Sequence, residues 1–322
     1  MMNLDVNYEL SIIIPAYNAI KTIGATLESI KIQNLPISFE VLIVNDFSDY
    51  DYSEMISKYK NHFNIREIKT KENVGPGVSR QVGIDNSSSK YIVFIDSDDL
   101  FYDEESVFSM YNKFLKEYAD ILISNFIYRR DEKELIKEKN LIWLHGKMYK
   151  REFLINNSIR FNNSRANEDN GFNRLILLLN PKYTFLDKVV YIYNENPNSI
   201  TRKDKRAYRF TGIEGFCYNM NWAMDEALAR GTSESKIVIL SLDILAALYI
   251  YYLGLEKEYD VSKILEWGKE IKYKYDKYKS LLEKDIQLII LNDKIEFLKY
   301  DFIIDNFYIS FEEFLDKINN NK

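Results

Sequence analysis

The chain has 322 residues, of which 46% are apolar and 29% are charged, enough to bury the core of one large domain or two smaller ones. A formal net charge of -6 argues against a nucleic-acid-binding protein that relies on a strongly basic surface. The one cysteine, Cys217, excludes an intrachain disulfide framework and favours a reducing compartment. The N-terminus has no basic segment before its short apolar run, so it does not resemble a secretory signal.

Strand and helix patterns alternate along the first part of the chain. Short apolar runs predict five strands, at Leu10–Pro15, Phe39–Asn45, Ile65–Lys69, Tyr91–Ile95 and Ile121–Phe126. Apolar residues at helical spacing predict helices between them, at Ile23–Ile30, Val78–Asp85 and Val107–Tyr118. The acidic residues Asp103, Glu104 and Glu105 suit the first turn of the last of these helices. This alternation predicts an α/β fold with a mainly parallel sheet flanked by helices.

The pattern changes near Lys205 and predicts a helical C-terminal region, so we expect one domain over residues 1–204 and a second region over 205–322. Within it, Ile237–Leu255 is almost entirely apolar and is close to the length that spans a bilayer. Asp243, near its middle, would cost about 2.5–3.5 kcal/mol in lipid. A buried helix of a soluble bundle is therefore the favoured interpretation.

The sharpest chemical feature is Asp96-Ser97-Asp98-Asp99, which follows the fourth predicted strand. Three carboxylates in four positions repel one another unless a cation lies between them, and oxygen ligands suit Mg²⁺ or Mn²⁺. An Asp-x-Asp pair is thus suited to hold a metal-diphosphate. The alternative is an acidic turn that starts a helix.

Two other polar segments fall at predicted strand ends, where ligands bind in parallel sheets. Asp46 follows the second strand and can accept a hydrogen bond from a base N–H or a ribose hydroxyl, although it is also a common turn residue. The glycines around Gly75 let the backbone approach a ligand, and the helix that follows attracts anions. Arg80, one turn into that helix, could reach a phosphate or a base.

Two further candidates lie later in the chain. Glu168 and Asp169 begin a predicted helix, where the dipole favours the ionised carboxylate that could take a proton from an attacking hydroxyl. Simple helix capping is the alternative for that pair. His145 precedes Gly146, and it either lines an acceptor pocket or packs against the surface.

From about Leu10 to Arg202 the chain resembles the family 2 glycosyltransferases with the GT-A fold, a Rossmann-like architecture. The segments that carry the resemblance, in order, are SIIIPAYN, VNDFSD, ENVGPGVSRQVGI, IDSDD, HGKMYKREFL, NEDNGF and YIYNENPNSITR. The sequence departs from the family pattern at Asn45, where the family has a first aspartate, and at Gln81, where it usually has asparagine.

The resemblance implies a role for each matching residue. Asp169 would be the catalytic base, Asp98 a metal ligand, and Asp96 a ligand of the metal or the ribose. His145 and Glu168 would lie on the acceptor side. The residues expected to bind the donor are Pro15, Tyr17, Asp46, Asn73, Gly75, Arg80, Asp96, Ser97 and Arg202.

The implied reaction is an inverting, Mn²⁺- or Mg²⁺-dependent transfer of a sugar from a nucleotide-sugar, with UDP-sugars the commonest donors of the family. The acceptor would be a hydroxyl of a glycan, a cell-wall polymer or another molecule; a nucleic-acid acceptor has no support in the sequence. The C-terminal helices would serve acceptor specificity, homo-oligomer formation or contact with a membrane surface. The expected location is the cytoplasm or the inner face of the membrane. The alternatives are a non-catalytic nucleotide-sugar-binding module and a nucleotidyltransferase.

Overall fold

The computed structural model describes residues 7–130, 133–195, 207–255, 260–298 and 309–320, with the backbone alone at 207–211 and 295–298. Contacts divide the chain into two compact units, Met1–Arg202 and Lys203–Lys322. The first unit contains the sheet, and the described elements of the second unit are helices.

Four parallel strands form the first half of the sheet, in the spatial order β3-β2-β1-β4. Their bounds are β1 Tyr8–Ala16, β2 Phe39–Asn45, β3 Asn64–Lys69 and β4 Ser89–Phe94. Apolar, mostly β-branched residues fill β1 and β2 because both faces of these strands are covered. The four strands predicted in this part of the chain are confirmed to within a few residues at each end.

The second half of the sheet mixes strand directions. Its strands are β5 Leu100–Phe101, β6 Ile121–Arg130, β7 Lys133–Lys137, β8 Lys147–Lys150 and β9 Tyr183–Asn194. The order continues β4-β8-β6-β9-β5, and β8 runs antiparallel to both of its neighbours. The predicted fifth strand is β6, and it is parallel to β9. The α/β fold is therefore confirmed, with β8 inserted between two strands of the same direction.

Six helices are described in the first unit. They are α1 Ile23–Lys31, α2 Ser53–Tyr59, α3 Pro76–Asn86, α4 Ser106–Glu117, α5 Arg151–Asn156 and α6 Glu168–Leu178. Helix α3 lies so close to β1 that a Cβ on Gly83 would be 2.4 Å from Ile13 Cγ2. The prediction that three acidic residues form the first turn of α4 is wrong. Asp103 instead forms a turn before the helix, accepting hydrogen bonds from the Ser106 hydroxyl and the Glu105 N–H.

The second unit has five described α-helices and one short 3-10 turn. They are α7 Ala207–Ala229, α8 Glu234–Leu255, α9 Ser262–Tyr278, the turn Lys279–Leu281, α10 Lys284–Leu298 and α11 Phe311–Asn320. By length and composition α8 could cross a membrane, yet 78% of its most apolar 18-residue window is buried within the protein. Asp243 of α8 pairs with Lys294 of α10 at 2.7 Å. Both observations agree with the interpretation of α8 as a buried helix.

Candidate active site

The residues predicted to bind the donor gather beyond the carboxyl ends of the four parallel strands. Pro15 lies at the end of β1, and Tyr17 follows with 54% of its surface exposed. Asp46 follows β2, Asn73 and Gly75 lie between β3 and α3, and the Asp96–Asp99 turn follows β4. This edge of a parallel sheet is where ligands bind in α/β proteins. Arg202 lies outside the described residues, so its role stays a prediction.

Asp46 organises the loop before α3. One carboxylate oxygen accepts the Val74 N–H at 2.7 Å, and the other accepts the Gly75 N–H at 2.9 Å and the Asn73 amide at 3.2 Å. Gly75 has a φ of 86°, which glycine adopts without strain. The described contacts of Asp46 therefore shape a loop, and its predicted recognition of a base or ribose would act from this fixed position.

Arg165, which sequence reasoning did not single out, holds the same loop from the other side. Its guanidinium donates to the Asn73 side-chain oxygen and to the Asn73 carbonyl, each at 2.6 Å. The segment that leads into α6 is thereby tied to the predicted donor loop. No local pattern in the sequence indicates this pairing, because the two residues are 92 positions apart.

Arg80 joins two of the predicted motifs. The side chain is 6% exposed and donates to Glu168 Oε1 at 2.8 Å and to Asp96 Oδ1 at 2.6 Å. Burial alone would lower the pKa of Arg80, but the two carboxylates raise it, so the guanidinium remains charged. Burial likewise acts to raise the pKa of Asp96, and Arg80 outweighs it, leaving that pKa lowered. Arg80 was predicted to hold a diphosphate and Glu168 to face the acceptor; in the structure each is already the other's partner.

Gly77 makes this arrangement sterically feasible. A Cβ at that position would lie 2.6 Å from Glu168 Cγ, so a larger residue would push α3 away from the start of α6. The glycine-rich segment thus serves two purposes, a left-handed turn at Gly75 and close packing at Gly77.

Asp169 lies in the first turn of α6, as predicted. Its pKa is raised to about 7 by burial and then by the charge of Glu168, with Arg80 acting in the opposite direction. From the sequence we expect the start of the helix to favour the ionised carboxylate, but burial, which favours the protonated form, is the larger effect. A carboxylate with a pKa near neutrality is well matched to general-base catalysis.

Asp99 fastens the acidic turn to β9. It is fully buried and accepts the Tyr191 hydroxyl at 2.6 Å and the Asn194 N–H at 2.8 Å. Burial and the charges of Asp96 and Asp98 raise its pKa well above the usual range. Sequence reasoning gave Asp99 no role; its position directly after the Asp-x-Asp pair was the available signal.

His145 faces the same turn. Its Nε2 is 3.9 Å from Asp96 Oδ2 and 3.8 Å from Asp99 Oδ2. Burial lowers the pKa of His145 to about 4, so the imidazole is neutral, the form that binds metals. Among the described residues, the ligand atoms that lie within 4.8 Å of one another belong to Asp96, Asp99 and His145, and Asp98 is not in that set. Carboxylate oxygens with one imidazole nitrogen fit a divalent ion such as Mn²⁺.

Comparison with known proteins identifies the family. Residues 11–167, which span most of this site, match the model described as glycosyl transferase family 2. Residues 11–167 of this chain therefore form a glycosyltransferase family 2 domain.

Relatives of this chain include an uncharacterized glycosyltransferase of Rickettsia felis, 40% identical over 131 residues, which are 41% of this chain and 20% of that protein. The minor teichoic acid biosynthesis protein GgaA of Bacillus subtilis is 26% identical over 319 residues, covering 90% of this chain and 66% of GgaA. The chain spans between 18% and 32% of the length of the first four curated relatives.

A solved structure supports the fold. Residues 1–349 of TarS from Staphylococcus aureus, in complex with UDP-GlcNAc, match with a TM-score of 0.71 at 18% identity, over 94% of this chain and 93% of that one. At that identity the likeness establishes the fold alone, and the expected GT-A architecture is confirmed.

Proposed function

We propose that this glycosyltransferase uses a divalent metal ion to transfer a sugar from a UDP-sugar to a hydroxyl group, with inversion at the anomeric carbon. The observation that carries the proposal is the Arg80 bridge, which brings Asp96 of the acidic turn and Glu168 of α6 together beside Asp169. The residues proposed to bind the donor and the proposed general base would thereby lie close together, since the charge of Arg80 also acts on Asp169.

The chain's own residues would divide the chemistry as follows. The acceptor oxygen bonds to the anomeric carbon while the bond from that carbon to the diphosphate oxygen breaks. Asp169 takes the acceptor's proton, because its raised pKa makes the carboxylate a competent base near neutral pH. Asp46 accepts hydrogen bonds from the Val74 and Gly75 N–H groups, and the backbone of the loop that it holds in this way would contact the nucleotide. Pro15, Tyr17 and Ser97, at the same edge of the sheet, would contact the donor.

Asp96 would hold the metal together with either Asp98, as the resemblance implies, or Asp99 and His145, whose ligand atoms converge. The bound ion would supply positive charge to stabilise the departing nucleoside diphosphate. An imidazole ligand would favour Mn²⁺ over Mg²⁺, and carboxylate ligands alone would suit either ion.

The relatives suggest the substrates. TarS was solved with UDP-GlcNAc, and GgaA is named for minor teichoic acid biosynthesis. We therefore extend the proposal to UDP-GlcNAc as a donor and to a polyol-phosphate cell-wall polymer as an acceptor.

A thermal-shift panel tests the donor assignment. UDP, GDP and UDP-GlcNAc are each added with Mn²⁺, Mg²⁺ or EDTA, and a ligand at 100 times its dissociation constant should add about 2.7 kcal/mol of stability. We expect stabilisation by UDP and UDP-GlcNAc that EDTA removes. Release of UDP from UDP-GlcNAc, with and without poly(ribitol phosphate), then measures turnover. Binding without UDP release would instead indicate the non-catalytic module, and absence of any metal-dependent binding would refute the proposal.

A further inference from the structure

Lys147 is a buried cation that the reaction outlined above does not use. Its side chain lies in β8 and the residue is 1% exposed. Burying an ammonium group costs several kcal/mol unless it is paired and hydrogen-bonded, so its partners reveal what it stabilises.

Those partners are two backbone carbonyl groups of one loop. The Lys147 ammonium donates to the carbonyl oxygen of Asn140 at 2.7 Å and to that of Trp143. The Asn140 side chain also accepts the N–H groups of Ile142 and Trp143, at 2.9 and 2.8 Å. We call the segment 140–146 the acceptor-side loop. The Lys147 ammonium and the Asn140 side chain therefore hold the backbone of this loop together.

The same loop is fastened to the helix that carries the proposed base. Asn173 of α6 donates to the Ile142 carbonyl at 2.6 Å and accepts the Tyr149 hydroxyl at 2.9 Å. Asn173 is one helical turn after Asp169, on the same face of α6. One polar network thus joins the loop, β8 and α6, and within it Lys147, Tyr149 and Asn173 are buried.

The acceptor-side loop presents two rings near the acidic turn. His145 faces Asp96 and Asp99, and the Trp143 ring meets the His145 ring edge-on with centroids 5.9 Å apart. A shift of this loop would move both rings relative to Asp169. We propose that Lys147 is a positioning residue, which fixes the acceptor-side loop relative to Asp169 and so sets the geometry of transfer; this inference rests on the proposed function.

The experiment compares Lys147→Met with Lys150→Met. Lys150 lies three residues along the same strand, 41% exposed at its side chain, and pairs with Glu152 away from the loop, so it controls for the loss of a lysine from β8. Both proteins are labelled with 5-fluorotryptophan. The three tryptophan resonances are assigned with single Trp→Phe variants, which isolates the signal of Trp143.

We expect Lys147→Met to shift or broaden the Trp143 resonance while those of Trp222 and Trp267 stay in place. Release of UDP from UDP-GlcNAc should fall about tenfold or more, because small misplacements of catalytic groups are costly. The dissociation constant for UDP should stay within about twofold, since the donor loop has its own supports. Lys150→Met should match the unsubstituted protein in all three measurements.

Two results would overturn the inference. One is an unchanged Trp143 resonance in Lys147→Met, whether or not the protein turns over UDP-GlcNAc. The other is loss of UDP binding in step with loss of thermal stability, which would make the lysine a support of the fold alone. If the unsubstituted protein binds UDP but releases none from UDP-GlcNAc, the proposed function fails instead. The fluorine spectrum still tests whether Lys147 holds the acceptor-side loop in place.

A second variant covers the case in which Lys147→Met does not fold. Asn140→Ala removes the two side-chain hydrogen bonds of the acceptor-side loop and leaves the buried charge intact. It should shift the same Trp143 resonance and lower UDP release by a smaller factor. A Trp143 signal and a rate that both equal those of Lys150→Met would contradict the proposed role of the loop.

Discussion

Replacing Arg80 with methionine should destabilise the first unit strongly and in a pH-dependent way. The guanidinium is 6% exposed and is the hydrogen-bonded partner of both Asp96 and Glu168, with distances of 2.6 and 2.8 Å. Breaking a buried ion pair by removing one partner costs about 3–5 kcal/mol, since it leaves an uncompensated charge. For a unit of this size the midpoint of thermal unfolding should fall by about 10 °C.

The sign of the pH dependence follows from the carboxylates left behind. In the unsubstituted protein the pKa of Asp96 is lowered, so its stabilising contribution is present above the unfolded pKa of about 4 and is lost only at lower pH. Arg80 also lowers the pKa of Asp169. Without Arg80 both pKa values rise, and the unpaired carboxylates destabilise the fold until they are protonated. The deficit should therefore be largest near pH 8 and shrink towards pH 5.

The assay is thermal or urea unfolding of both proteins at pH 5, 6, 7 and 8. Arg160→Met is the matched control, because Arg160 makes two hydrogen bonds to Asp85 but both side chains are about half exposed. Exposed pairs contribute about 0–1 kcal/mol, so this control should change little. Equal losses in the two variants, or a deficit in Arg80→Met that does not vary between pH 5 and pH 8, would refute the argument.

Three further predictions concern the base, the packing of α3 and the second unit. Asp169→Asn should lower UDP release by at least about a hundredfold while UDP affinity is retained, and undiminished turnover would exclude this base. In the unsubstituted protein the rate of UDP release should rise with pH around a midpoint near 7, the pKa of Asp169. Gly83→Ala should lower the free energy of unfolding by about 1–3 kcal/mol, because its methyl group would meet Ile13. Gly24→Ala, with no neighbour closer than 3.9 Å, should be neutral or slightly stabilising, and denaturant titration measures both variants. If the homo-oligomer contact predicted for the C-terminal helices involves the exposed apolar residues Ile286, Leu288 and Ile289 of α10, Leu288→Glu should convert the oligomer to a monomer in light scattering. Leu288 is 57% exposed, and a protein that is already monomeric rejects the prediction.

The strands that carry the residues predicted to bind the donor could themselves be predicted, because each leaves a local signal. A short apolar run that ends in polar residues marks β1, β2 and β4, and their carboxyl ends meet at one edge by the geometry of parallel strands. Strand β8 gave no such signal, since its four residues, Lys147–Lys150, begin and end with lysine. Its place between β4 and β6 depends on pairing with distant segments, which periodicity does not encode.

The sequence selected candidate residues for the site but did not predict how they pair with one another. The motif resemblance selected Arg80, Asp96 and Glu168 individually, yet gave each a ligand as its partner. The structure pairs them with one another across 16 and 88 positions of the chain. Burial also decided the pKa of Asp169, and burial of a single carboxylate cannot be read from the helix start alone.

Helix α8 has apolar residues on almost all sides, and its ion pair with α10 defines how the helix is rotated about its axis. Because nearly every face of α8 is apolar, hydrophobic burial is almost indifferent to rotation about the helix axis. Asp243 breaks that degeneracy, since only one angular setting places its carboxylate 2.7 Å from Lys294. Other settings would separate the carboxylate from its cation, and those that turn it into the core would leave it unpaired among apolar side chains. The ion pair thus fixes the rotation of α8 about its own axis. A chain with leucine at both positions would keep its helices, but α8 would no longer have one preferred rotation against its neighbours.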